Sequence, residues 1–330
     1  MPRLSIYGED AEYRTSTLDL ATISSPISID ASLTSCLFAD ADTDGTVYTI
    51  SSGFITKRLG NDTPTKLSIL GAVQDVIIGS TYIYGASSGN PGSLVRVDKA
   101  AFTATSFTVQ HTGTCVTSQN HCAFDSNGDV WIPVRRSIGS IVNRGFAAVL
   151  TRFDVTNQTF PIAYRYLIDT QPSECFALSI SGTTAYASVT HFDDNETRIH
   201  KVDLTNGTVL GTIVVGTYLG SGSTGTAVHS RIIGNNLYVA TVNDLHKIAL
   251  SDFTLTTTLN AATDRVIGSN GVDTLWLADS GTLRRVDIAS MTVTATASGY
   301  GNDGRLIVYE PDPPVPPIVP SNWVVGAVGW

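Results

Sequence analysis

The chain has 330 residues and a formal charge of −9 spread along its length without a block of lysine or arginine, which argues against a surface built for nucleic acid or anionic lipid. At 42% hydrophobic and 15% charged it can build a core, and its wealth of Gly, Ser, Thr and Val suits strands and tight turns rather than helices. The four cysteines are too few for a disulfide scaffold, the start Met1-Pro2-Arg3-Leu4 lacks the apolar run of a secretion signal, and no stretch has membrane-spanning length.

In chain order the predicted elements are all short strands. Leu4 to about Ile29 reads as three of them with no strand before. A complete set of four follows: Ser35-Cys36-Leu37-Phe38, Thr46-Val47-Tyr48-Thr49-Ile50, Phe54-Ile55-Thr56 and Lys66-Leu67-Ser68-Ile69-Leu70. The next set begins at Val76-Ile77-Ile78 and continues through Tyr82-Ile83-Tyr84 and Leu94-Val95-Arg96-Val97-Asp98. Further sets occupy about 121–166, 175–215, 227–260 and 264–299, with Thr205-Asn206-Gly207 as a hairpin signal. Arg305-Leu306-Ile307-Val308-Tyr309 is a lone strand.

An apolar–aromatic pair recurs in these sets: Ile6-Tyr7, Val47-Tyr48, Ile83-Tyr84, Val130-Trp131, Ala185-Tyr186, Leu237-Tyr238 and Leu275-Trp276. Successive aromatics fall 41, 36, 47, 55, 52 and 38 residues apart, and an all-β repeat of that period is a propeller blade. Six sets and two fragments that complete each other predict a seven-bladed β-propeller of four-stranded antiparallel blades over residues 1–310. The N-terminal strands pair with the last strand, which hides edges that would otherwise template aggregation. The aromatics are expected between adjacent blades, where a large flat side chain fills the space between twisted sheets.

A second echo, Val97-Asp98 with Leu18-Asp19, Phe153-Asp154, Val202-Asp203 and Val286-Asp287, places an Asp where its carboxylate can hydrogen-bond the following turn. With both echoes the repeats resemble the YVTN- and NHL-type propeller families. That resemblance implies the fold and leaves the activity open, since such families include sensors, binding modules and a few enzymes.

Naming the strands of a blade A to D from the axis outward, the A-to-B and C-to-D turns share one face and are short: Asn127-Gly128, Ser181-Gly182, Asn206-Gly207, Asn235-Asn236. The D-to-A and B-to-C connections share the other face and carry the extra length, at 87–93, 111–120, 135–146, 167–174, 191–196 and 216–226. Variable loops on a constant scaffold are where recognition resides, so partner or ligand contact is expected on that face. The residues leading into the innermost strands there are Asp75, His121, Glu174, His229, Asp264 and Asp303. They would ring the mouth of the central channel, as a water-filled opening or as ligands for a cation.

Asp40, Asp42, Asp44 and Gly45 have calcium-loop spacing, but Ser51 stands where the bidentate Glu is needed, so an Asp-rich turn competes with Ca2+. His191-Phe192-Asp193-Asp194-Asn195-Glu196 gathers acids in one loop, with solvation as its first explanation and a cation as its second. Cys36, Cys122 and Cys175 fall in innermost strands as small apolar groups, and a Cys115–Cys122 disulfide is a local alternative. The nearest enzymatic analogy is to propeller lyases of the streptogramin lyase type, which use His and Glu near magnesium. His229 and His246 lack the matching acid–base partners here, and no catalytic residue is assigned.

Beyond Tyr309 six prolines, Pro311 to Pro320, make an extended arm that ends in an apolar segment bearing Trp323 and Trp330. Such an end marks an interaction surface. Residues 311–330 are therefore expected to dock on a neighbouring subunit or on the chain's own domain. The expected function is a non-enzymatic interaction module without cofactor, such as a bacteriophage tail, neck or decoration protein in the virion that contacts other subunits through the arm and a host-surface glycan or protein through the loops. A cellular or secreted propeller binding a glycan, peptide or protein is the alternative.

Overall fold

The computed structural model describes residues 3–7, 11–16, 27–28, 36–51, 53–59, 63–69, 72–88, 92–109, 115–117, 122–137, 146–217, 229–241, 244–260, 266–279, 282–298 and 306–310. The chain opens with β1 (Arg3–Tyr7), β2 (Ala11–Ser16) and β3 (Ile27–Ser28). Blade one is β4 (Cys36–Ala41), β5 (Thr46–Ser51), β6 (Phe54–Leu59) and β7 (Thr65–Ser68); blade two is β8 (Ala72–Ile78), β9 (Tyr82–Ser88), β10 (Ser93–Asp98) and β11 (Thr103–Thr108). Blade three has β12 (Cys115–Thr117), β13 (Ala123–Phe124), β14 (Val130–Ser137), β15 (Phe146–Phe153) and β16 (Arg165–Leu167). Blade four follows with β17 (Ser173–Ser181), β18 (Thr184–His191), β19 (Glu196–Asp203) and β20 (Val209–Thr217). Blade five is β21 (His229–Ile233), β22 (Asn236–Ala240), β23 (Asp244–Ala249) and β24 (Thr254–Asn260); blade six is β25 (Val266–Ser269), β26 (Thr274–Asp279), β27 (Thr282–Asp287) and β28 (Thr292–Ser298). The last strand is β29 (Leu306–Glu310).

The chain is thus an all-β propeller of four-stranded antiparallel blades, six of them made from consecutive strands. The remaining strands share one composite sheet in the order β29-β1-β2-β3, with Arg3 opposite Glu310 and Ile6 opposite Ile307. Blade three departs from the four-strand pattern, because its inner position is split: β12 pairs with the far end of β14 and β13 with its start.

The strand-B aromatics lie where the repeat places them. Tyr48, Tyr84, Trp131, Tyr186, Tyr238 and Trp276 are all buried. Tyr84 packs edge-on against Phe124 of blade three, Tyr186 meets Phe253 of blade five, and Tyr238 joins a cluster with Leu275, Leu277 and Val286 of blade six. These three aromatics therefore fill the wedge toward the next blade, and truncating one would cost about 3–5 kcal/mol. Outermost strands run the other way: β11 and β24 are almost wholly exposed and rich in Thr, which keeps a strand preference while facing water.

The C-to-D turns show the strictest local chemistry. Asp98, Asp154, Asp203 and Asp287 each accept a hydrogen bond from a backbone N–H two or three residues on, at 2.8 to 2.9 Å. The same turns need one residue at positive φ: Phe102, Gln158, Gly207, Phe253 and Met291 in blades two to six. Only blade four uses glycine, and its reason is a neighbour, since a Cβ on Gly207 would strike the ring of Tyr166 from blade three. Tyr166 continues past that glycine and its hydroxyl donates to the Leu204 carbonyl at 3.1 Å.

Strand C carries a further repeat. Lys57, Arg96, Arg152, Lys201, Lys247 and Arg285 occupy one register position. Lys57 and Lys247 donate to the carbonyls of Lys99 and Ile288 in the following blade, at 2.9 Å each. These two lysines tie one blade's third strand to the next blade's turn.

Candidate metal centre

The residue just before that strand-C cation faces the preceding blade and differs from blade to blade. It is Thr56, Val95, Thr151, His200, His246 and Arg284 in blades one to six. In blade four this position becomes part of a buried cluster. His200 sits opposite Ala187 on β18 and opposite Thr212 on β20, so these three share a face of the sheet, and His191 lies four residues beyond Ala187 on the same side. Its third member, Asp169, comes from the connection between β16 and β17.

That connection is held at both ends. Ile168 N–H donates to the Ala148 carbonyl at 3.0 Å, and Phe192 N–H donates to the Pro172 carbonyl at 3.0 Å. Asp169 Oδ1 accepts the Gln171 N–H at 2.9 Å, and Ser173 Oγ donates to the Gln171 carbonyl at 2.9 Å. The other carboxylate oxygen is thereby aimed at the imidazoles.

Asp169 Oδ2 contacts His191 Nε2 and lies 3.3 Å from His200 Nε2. The side chains of His191, His200 and Asp169 are only 2%, 7% and 8% exposed. One donor atom from each falls within 4.8 Å of the other two, and this is the one such grouping among the described residues. None of Asp169 Oδ2, His191 Nε2 and His200 Nε2 makes a hydrogen bond of good geometry, although all three are buried. Burial alone would raise the Asp169 carboxyl, but the two imidazoles and the Gln171 amide outweigh it and hold the group well below the usual carboxylate range.

Outside the three, His200 Nδ1 pairs with Thr212 Oγ1 at 2.9 Å. Arg198 Nη1 stands 3.3 Å from His191 Nδ1, and its Nη2 binds Asp194 at 2.6 Å and Glu196 at 2.7 Å. The acidic loop is therefore a rim around the buried cluster, and Asp194 Oδ2 is 4.0 Å from His191 Nδ1. Two imidazole nitrogens and a carboxylate oxygen are the donor set of borderline divalent ions, not of Ca2+ or Mg2+, which prefer oxygen throughout.

The residues singled out from sequence do not form this site. Asp40 belongs to strand β4 opposite Tyr48, Asp42 ion-pairs with Lys99 of blade two, and Asp44 accepts the Thr46 N–H at 2.8 Å. The suspected calcium loop is thus an A-to-B turn with its second and third carboxylates engaged. Burial would raise the Asp44 carboxyl, yet the Thr46 hydrogen bonds and nearby lysines leave it lowered. Asp75 lies inside β8 beside the register shift between Val73 and Val76, a correction to its placement at the strand's entrance. Glu174 is buried in β17 opposite Thr190, and His229 is the first residue of β21. His121, Asp264, Asp303, Trp323, Trp330 and the arm 311–330 lie outside the described residues, as does Asp19. Cys122 and Cys175 are both buried, and the Cys115 side chain lies outside the described residues.

Asp169 and His200 escaped the sequence reading, and His191 was noted only as the start of an acidic loop. A signal existed: once strands B and C of blade four are paired, His191 and His200 fall on one face.

No protein-family model matches the chain, and no curated protein matches it in sequence. Solved structures do resemble it in fold. Apo AztD from Citrobacter koseri superposes with a TM-score of 0.62 at 13% identity, over 93% of this chain and 97% of that one. A functionally unknown protein from Desulfotomaculum acetoxidans gives 0.62 at 13% identity over 94% and 99%. Hydrazine synthase of Kuenenia stuttgartiensis gives 0.63 at 11% identity over 84% and 90%. At such identities the likeness establishes the propeller and nothing about activity.

Proposed function

We propose that the protein is a non-enzymatic binding propeller that works as a subunit of a larger assembly, with its D-to-A/B-to-C face as the contact surface. One observation carries the choice of face. Turns on the opposite face satisfy themselves: Asp98, Asp154, Asp203 and Asp287 spend their carboxylates on their own backbone. The loop face instead gathers Asp169, His191 and His200 into one buried cluster in which the Asp169 carboxylate contacts both imidazoles.

In this reading the composite sheet is a seventh blade and closes the ring. Support comes from the five-residue register of β1 with β29 and from the position of β29, which packs against β4 on one side and β25 on the other. Closure ties down both ends of the propeller and leaves residues 311–330, with Trp323 and Trp330, as the anchoring arm. A virion is the assembly that the composition suggests.

A chain ending at Glu310 tests the assignment. It is expected to remain folded by circular dichroism and to be lost from the purified particle that holds the full chain; equal incorporation of both would overturn the anchoring role. Charge reversals at Asp193 and Asp194 on the loop face should reduce partner contact while incorporation persists.

A further inference from the structure

We infer that Asp169, His191 and His200 form a binding site for one divalent first-row transition ion, of which Zn2+ is the best fit. The argument stands on blade four alone and does not require the assembly role proposed above.

Asp169 Oδ2, His191 Nε2 and His200 Nε2 converge on one buried point, touching one another without a hydrogen bond of good geometry, an arrangement that a cation at their focus would satisfy. A cation at that focus would take a lone pair from each atom at roughly 2.0–2.2 Å. The competing account is a His–Asp–His ion pair with each Nε2–H turned to Asp169. If His200 donates Nδ1–H to Thr212, its Nε2 lone pair faces the Asp169 carboxylate at 3.3 Å, two acceptors opposed. That tautomer is also the one a metal needs, with the distal N–H fixed by an oxygen.

His191 must exchange its outer partner in order to ligate. Arg198 Nη1 occupies its Nδ1 side at 3.3 Å, and Asp194 Oδ2 waits at 4.0 Å. For Nε2 to ligate, the His191 proton must reside on Nδ1, where Asp194 is the acceptor and Arg198 gives way. Ion binding thus joins two loops of one face: 168–172, which delivers Asp169, and 192–195, which supplies Asp194. Three protein ligands leave a fourth position for water or for a donor atom from a bound partner.

The experiment uses the full chain, stripped with a chelator and titrated with Zn2+ against a chromophoric competitor, and in parallel with Co2+ followed by its visible absorption. One ion per chain is expected, with a Co2+ spectrum of four- or five-coordinate nitrogen and oxygen ligation and no thiolate band. Asp169→Asn and His200→Gln should each weaken binding by roughly a hundredfold or more, beyond the 10–100-fold typical of supporting residues. His246→Gln, which alters the matching position of blade five, should leave it unchanged. Should a blade-four variant fail to fold, the imidazole proton resonances of the native chain decide: His191 and His200 shift on Zn2+ addition and His246 does not. Absence of stoichiometric binding by the folded chain, or binding indifferent to Asp169→Asn and His200→Gln, would overturn the site and leave the triad as a structural ion pair.

Discussion

Blades four and five begin from the same chemistry and end differently. In both, strand C carries apolar–His–Lys–apolar, as Ile199-His200-Lys201-Val202 and Leu245-His246-Lys247-Ile248. In both, the imidazole Nδ1 meets a strand-D threonine twelve residues on, at 2.9 Å for Thr212 and 3.0 Å for Thr258. In both, the histidine faces the preceding blade. Yet blade four extends strand B to His191 and receives Asp169 from the connection before it, whereas strand B of blade five stops at Ala240. Among the described residues no second imidazole or carboxylate joins His246 as a metal-type grouping. The His–Thr pair is therefore scaffold, a polar plug whose Nδ1 is held within its own sheet. Chemistry is added by lengthening the strands and aiming one loop.

The comparison breaks hardest at Asp169. With metal removed by chelator, Asp169→Ala deprives two buried imidazoles of their shared partner, and chemical denaturation should show a loss of about 2–3 kcal/mol. Thr258→Val, which removes the lone described partner of His246 Nδ1, should cost about 1 kcal/mol. Equal losses would mean that Asp169 does no more for its imidazoles than a threonine does.

Next in size is the turn that follows strand C. Blade five holds the left-handed position with Phe253, at φ 54°, and packs that ring on Tyr186 of blade four. Blade four holds it with Gly207, at φ 77°, because the Tyr166 ring fills the space. Gly207→Ala meets both a disfavoured backbone and a collision, and should cost about 2 kcal/mol in denaturant midpoint. An added Tyr166→Ala should recover the steric part and leave the backbone part, of roughly 1 kcal/mol.

What could be read from the sequence follows from the range of each signal. Blade spans, the aromatic wedge residues and the Asp-capped turns were legible because each depends on a few neighbouring residues repeated along the chain. Composite pairing of β1 with β29 was legible from the two fragments left over. The strand-C lysines and the left-handed Phe102, Phe253 and Met291 were not, since they contact another blade. The Asp169–His191–His200 cluster was invisible for the same reason. Its members look unremarkable in the chain and meet only when the hairpin register and the inter-blade connection are both in place. The Asp-rich turn at Asp42 and Asp44 was legible from its spacing, and their carboxylates serve a lysine of the next blade and their own turn.

The smallest expected effect tests whether blade five is truly only a scaffold. Desolvation lowers the His246 imidazole below its ordinary value, with Asp244 opposing that shift weakly. The unfolded chain then takes up a proton near pH 6.5 while the folded one does not, so stability is full above that pH and declines as pH falls through it toward the folded value. Proton uptake by U alone lowers the free energy of unfolding, which fixes the sign. His246→Gln keeps a polar plug against Thr258 and removes the titration. The stability of that variant between pH 7 and pH 5 should fall less than the native chain's, by a fraction of a kcal/mol up to about 1 kcal/mol. Should the two profiles run parallel, His246 is not held neutral by its burial, and the idea that blade five carries an inert copy of the blade-four histidine fails with it.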